Sequence, residues 1–107
     1  MALRVLVVED DADQRRLVTT MLERAGHQVT LAAERGDDPA IIEQDVDVAV
    51  IDLNLPGRSG ADVIRALLDR RPQLPVLVVS AASDGAAVSE ALLAGAIGYV
   101  VKGARPS

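Results

Sequence analysis

The chain has no cysteine, no phenylalanine and no tryptophan, and Tyr99 is its single aromatic residue. Without cysteine there is no disulfide framework and no thiolate metal site. With one aromatic there is no platform on which successive nucleic-acid bases could stack. Positive charge is also short: 16 acids face 11 lysines and arginines, for a formal net charge of −5. That balance argues against a nucleic-acid surface, which needs clustered cations. No apolar run approaches the roughly 18 residues of a membrane span. The opening "MALRVLVVEDD" is a short apolar run broken by acids, with no cleavage site, so it does not read as a secretory signal. The expectation is a cytoplasmic protein that touches neither nucleic acid nor membrane directly.

What is present is aliphatic. Half of the 107 residues are apolar, supplied by valine, leucine, isoleucine and alanine. A chain of this length suits one domain that buries roughly two thirds of its unfolded surface. Its β-branched and small residues favour stacked layers of sheet and helix.

The apolar runs alternate in character along the chain. "LRVLVV" (3–8) is continuous and β-branched, which predicts a strand buried on both faces. From Asp13 to Ala25, the residues Leu17, Val18, Met21, Leu22 and Ala25 recur at helical spacing, and Gly26 stops the helix. "QVTLA" (28–32) is a second strand. "GDDPAIIEQ" (36–44) opens a short helix, with Asp38 as N-cap and Pro39 in the first position. "DVAVID" (47–52), "PVLVVS" (75–80) and "GYVVK" (98–102) read as three more strands. Between them lie two helices. The first, 59–71, has the capping pair Ser59 and Asp62 and a stripe of Val63, Ile64, Leu67 and Leu68. The second, 84–95, turns Val88, Ala91 and Leu92 inward. Strict alternation with short connections predicts a doubly wound, open parallel sheet with helices on both faces.

In such a sheet, ligands gather outside the carboxyl ends of the strands. The first strand ends in Glu9 and Asp10, the third in Asp52, the fourth in Ser80 and the fifth in Lys102. Three carboxylates brought together repel one another unless a cation joins them. Hard oxygen donors without histidine or sulfur suit Mg²⁺. A carboxylate beside Mg²⁺, an ammonium and a hydroxyl is equipped for phosphoryl transfer, attacking phosphorus as aspartyl-phosphate enzymes do. Asp52, alone on its strand end, is the candidate nucleophile, and Asp10, with acidic neighbours, the candidate metal ligand. Other acids, including Asp11, Asp13, Asp37, Asp38, Glu43, Asp45 and Asp47, read as caps and solvated surface. His27, following Gly26 at a turn, is expected to be exposed and inert.

"VLVVEDD", "VAVIDLNLPGRSG", "VLVVSA" and "GYVVK", in this order and spacing, resemble a response-regulator receiver domain of two-component signalling, of the CheY-like superfamily. The resemblance runs from Leu3 to Lys102. It implies a flavodoxin-like sheet of five strands in order 2-1-3-4-5. It implies that Asp52 accepts a phosphoryl group from a histidine kinase or phosphotransfer protein. By position, Asp10 would bind Mg²⁺ directly, Glu9 would act through water, and the main-chain carbonyl of Asn54 would complete the metal site. Ser80 would hydrogen-bond the phosphoryl group, Lys102 would pair with it, and Tyr99 would occupy the rotameric switch position. Gly60 matches the glycine after the phosphorylation loop. Asn54 and Ala82 stand where the family tunes the lifetime of the phosphorylated state.

Two features depart from the pattern. Gly103 stands where the family usually has proline. The chain also stops five residues after Lys102, so residues 1–107 read as a receiver truncated before its last helix. Either the chain is then a fragment of a longer regulator, or a partner chain or second copy covers the exposed sheet face. Two other functions fit parts of the pattern. A haloacid-dehalogenase-like phosphatase also uses a strand-end aspartate with Mg²⁺ and lysine. Its motif puts a second acid two residues later, where this chain has Asn54. A pseudo-receiver would keep the fold as an interaction module without turning over phosphate.

Overall fold

The computed structural model describes residues 1–81 and 83–103. Five strands alternate with four helices: β1 (Arg4–Val8), α1 (Ala12–Arg24), β2 (Gln28–Ala33), α2 (Ala40–Glu43), β3 (Val48–Ile51), α3 (Gly60–Arg70), β4 (Val76–Ser80), α4 (Gly85–Ala94) and β5 (Gly98–Val101). The strands form one parallel sheet in the order β2-β1-β3-β4-β5. The alternation of apolar runs predicted the open parallel sheet, and the strand order is the flavodoxin-like one that the receiver resemblance implies; among the described residues no helix follows β5. Ala82 lies outside the described residues.

The helices begin where short polar side chains satisfy free main-chain N–H groups. Asp11 accepts from the N–H of Gln14 at 2.9 Å, Ser59 from that of Asp62 at 3.2 Å and Asp84 from that of Ala87 at 2.7 Å. α2 starts one residue later than its sequence suggests. Pro39 is the N-cap, and Asp38 accepts from the N–H of Ala40 at 2.9 Å.

The core divides along the sheet. On one side, Leu6, Val8, Ala49, Ile51, Val76 and Val78 meet Ile41 of α2, with Val63, Ile64 and Leu67 of α3 and Ala91 and Ala94 of α4. On the other, Val5, Val7 and Val50 are covered by Val18 and Leu22 of α1. The expected apolar stripe of α1 is therefore only half used. Leu17 and Met21 are 52% and 62% exposed, and no residue of α1 is fully buried. In α4, Leu92 turns outward, and the inward positions are Ala87, Ala91 and Ala94. The small methyl groups let α4 lie close to the sheet, and the bulkier leucine takes the free side.

One close approach fixes the loop after β3. The N–H of Gly60 donates to the carbonyl of Leu53 at 2.8 Å, and a Cβ on Gly60 would stand 2.1 Å from the carbonyl oxygen of Asp52. Only glycine lets α3 begin this near the end of β3. At the far end, Gly103 has φ +70, a left-handed conformation that proline, locked near −65°, cannot adopt.

Candidate functional site

The carboxyl ends of β1, β3, β4 and β5 lie side by side, because β1 pairs β3, β3 pairs β4 and β4 pairs β5. The ladder continues to the site itself. The N–H of Asp52 donates to the carbonyl of Val8 at 3.0 Å, and the N–H of Lys102 to the carbonyl of Ser80 at 2.8 Å. A strand so anchored delivers its last side chain to a set place.

Glu9, Asp10 and Asp52 each offer a carboxylate oxygen, and these atoms lie within 4.8 Å of one another. Glu9 and Asp52 are 4% and 5% exposed, whereas Asp10 faces solvent. Lys102 lies between the two buried acids. Its Nζ is 2.8 Å from Asp52 Oδ2 and also pairs with Glu9 Oε1. The second oxygen of Glu9 accepts from the N–H of Asp11 at 3.2 Å. The N–H of Asn54 reaches Asp52 Oδ1 at 3.3 Å, which turns the loop after β3 back over the acid. Ser80 is fully buried at the end of β4. Tyr99, half-buried on β5, pairs in register with Val78 and packs on the larger core cluster.

Burial pushes the Glu9 carboxyl above the usual carboxylate range, and the neighbouring Asp52 charge adds to this, while its contacts with Lys102 and the N–H of Asp11 act the other way. Burial alone would lower the Lys102 ammonium. The combined hydrogen bonds and charges of Asp52 and Glu9 outweigh it and raise Lys102 above the ordinary lysine value. Among these four side chains, three carboxylates meet one ammonium, leaving excess negative charge at a partly buried site. Such an oxygen-only donor set, open on the Asp10 side, fits a hard divalent cation.

Two details were not anticipated. Arg15 of α1 donates from Nη1 to the main-chain carbonyl of Glu9 at 2.9 Å, with a longer contact to that of Asp10 at 3.4 Å. Its signal in the sequence is a cation four residues into a helix, where the helix dipole disfavours positive charge unless a specific partner holds it. His27 is half-buried rather than exposed, because its Nδ1 accepts from the N–H of Leu3 at 3.1 Å and ties the chain start to β2. Several acids expected at the surface form ion pairs there: Asp45 and Asp47 with Arg4, and Asp37 with Arg35.

Residues 5–107 match the response regulator receiver domain family, and the chain belongs to it. It is 40% identical over 101 residues to the two-component response regulator PhoP of Pseudomonas aeruginosa, covering 94% of this chain and 45% of PhoP. It is 36% identical to the chemotaxis protein CheY of the same organism, covering 94% of this chain and 84% of CheY. The structure of the response regulator TrrA from Thermotoga maritima, in complex with Mg²⁺ and beryllium fluoride, superposes with a TM-score of 0.81 at 27% identity, covering 92% of this chain and 85% of TrrA. The chain spans about half the length of the PhoP proteins it matches. It is a receiver domain of the two-component type, and its acidic pocket fits a phosphoacceptor site. Neither the phosphatase nor the pseudo-receiver reading gains support from these likenesses.

Proposed function

We propose that Asp52 accepts a phosphoryl group from a histidine kinase or phosphotransfer protein, in a reaction that requires Mg²⁺. The observation that carries this reading is the buried Asp52 carboxylate, set against Lys102 at 2.8 Å and grouped with Glu9 and Asp10. Asp10, Asp52, the carbonyl of Asn54 and Glu9 are the groups that would hold the metal. A cation bound there would offset negative charge on the phosphoryl oxygens.

A carboxylate oxygen of Asp52 attacks phosphorus and forms the acyl phosphate. The bond from phosphorus to the donor's imidazole nitrogen breaks, and its electron pair leaves with the imidazole. Lys102 exchanges part of its contact with the carboxylates for the incoming phosphoryl oxygens, and the Ser80 hydroxyl donates to one of them. The change is transmitted through β4 and β5, where Ser80 and Tyr99 lie on neighbouring strands. It is read at the outer side of α4, where Leu92 and Leu93 are exposed and available to a partner or a second copy. The domain acts as a switch that carries its own phosphoryl chemistry and turns over no separate substrate.

The test is incubation with Mg²⁺ and acetyl phosphate, read by intact mass. The expected result is one labile phosphoryl adduct, lost in Asp52→Ala and absent when the metal is chelated. No adduct with acetyl phosphate or with any histidine kinase would overturn the reading.

A further inference from the structure

Metal sites are oriented by groups that never touch the metal. The turn after β1 carries two of the three clustered carboxylates, and its main-chain carbonyls sit where the strand ladder has run out. Arg15 meets them both. Its Nη1 donates to the carbonyl of Glu9 at 2.9 Å and approaches that of Asp10 at 3.4 Å. Its own N–H is fixed by the carbonyl of Asp11 at 2.9 Å, and Asp11 is the N-cap that starts α1. The guanidinium thus closes a loop running from Glu9 through Asp11 and back along the first turn of α1. It makes no ion pair with a carboxylate among the described residues, so its hold on this turn is through the main chain. The next residue, Arg16, is exposed and makes no such contact.

We propose that Arg15 is the positioning residue of the acidic site. Held on the carbonyls of Glu9 and Asp10, it fixes the turn that brings their carboxylates toward Asp52 to receive a divalent cation. This rests on the reading that the site takes up Mg²⁺. Arg15 acts through Glu9 and Asp10 and touches neither the phosphoryl group nor the metal.

The test is Mg²⁺ titration by calorimetry on wild type, Arg15→Ala, Arg15→Lys and Arg16→Ala, with the phosphorylation rate from acetyl phosphate measured at saturating Mg²⁺. Arg15→Ala is expected to weaken Mg²⁺ binding by about tenfold. Its rate at saturating metal should stay within about threefold of wild type, because the reacting groups themselves are intact. Arg16→Ala removes the same charge one residue away and is expected to leave affinity unchanged. Arg15→Lys, which keeps the charge but loses the planar fork, should weaken binding by about threefold. It also carries the test if Arg15→Ala does not fold. A wild type that binds no Mg²⁺ overturns the functional reading and this inference with it. A wild type that binds, alongside folded Arg15 variants of unchanged affinity, overturns the Arg15 inference alone. Equal weakening by Arg15→Ala and Arg16→Ala overturns it too, because net charge would then be the cause.

Discussion

The two faces of the sheet are built from the same kinds of residue and end up differently. One is roofed by α2, α3 and α4, and α3 alone buries Gly60, Ala61, Val63, Ile64 and Leu67. The other is covered by α1, which packs on β1 and β2 and has no fully buried residue. Among the described residues, no other helix contributes to that second cluster, and Val79 and Val100 on the same face stay partly or largely exposed. Both α1 and α3 are capped and amphipathic. An apolar stripe sets which side of a helix turns to the sheet, but the depth of burial depends on flanking helices. α3 has α2 and α4 beside it, whereas among the described residues α1 packs on β1 and β2.

The contrast can be tested by mutation. Leu67→Ala, on the crowded face, is expected to cost about 2–5 kcal/mol in urea unfolding, the range for truncating a fully buried leucine. A loss under about 1 kcal/mol would mean that this face is no better packed than the other.

A smaller effect is expected where the faces meet the site. Lys102 is the only lysine in the chain, so its titration can be followed without ambiguity by selective labelling. Its ammonium is raised in the folded state. The stability it contributes is therefore complete below the ordinary lysine value and is lost as pH rises through the raised one. Alkaline unfolding of wild type should show that loss, and Lys102→Gln should lack it. Parallel curves for the two proteins would show that the ion pairs with Glu9 and Asp52 do not stabilise the fold.

The smallest effect belongs to the open face. Leu17→Ala leaves a residue that is already half in water, and stability should change by no more than about 0.5 kcal/mol. A larger loss would show that Leu17 is covered in solution and would erase the difference between α1 and α3.

Much of this architecture was legible from local pattern. The runs Leu3–Val8 and Pro75–Ser80 are too apolar and too β-branched for anything but buried parallel strands, and both form within a residue of the expected ends. Ser59 and Asp84 announce their helices because capping is a local hydrogen bond. The acids and lysine at the strand ends were legible as a group, since parallel topology places all carboxyl ends on one edge. Leu17, Met21 and Leu92 were not. Their spacing is right for an inward face, but the sheet takes Val18 and Leu22 of α1 and Ala87, Ala91 and Ala94 of α4, and spacing alone does not say which side of a stripe packs. Arg15 and His27 were missed for a related reason. Each finds its partner in the main chain of another segment; Arg15 leaves only the weak mark of a cation early in a helix, and a main-chain carbonyl or N–H partner leaves none.

By itself, the amino-acid order determined the alternation of strand and helix, the caps, and the identity of the residues that stand at the strand ends. These depend on periodicity and on contacts a few residues long. The tertiary structure alone decided that Lys102, fifty residues from Asp52, bridges it to Glu9. It also decided that Arg15 grips the turn carrying those acids, and that among the described residues one sheet face is packed under three helices while the other lies under α1 alone. Distances between distant segments are set by how strands pair and helices pack, and no local pattern carries that information.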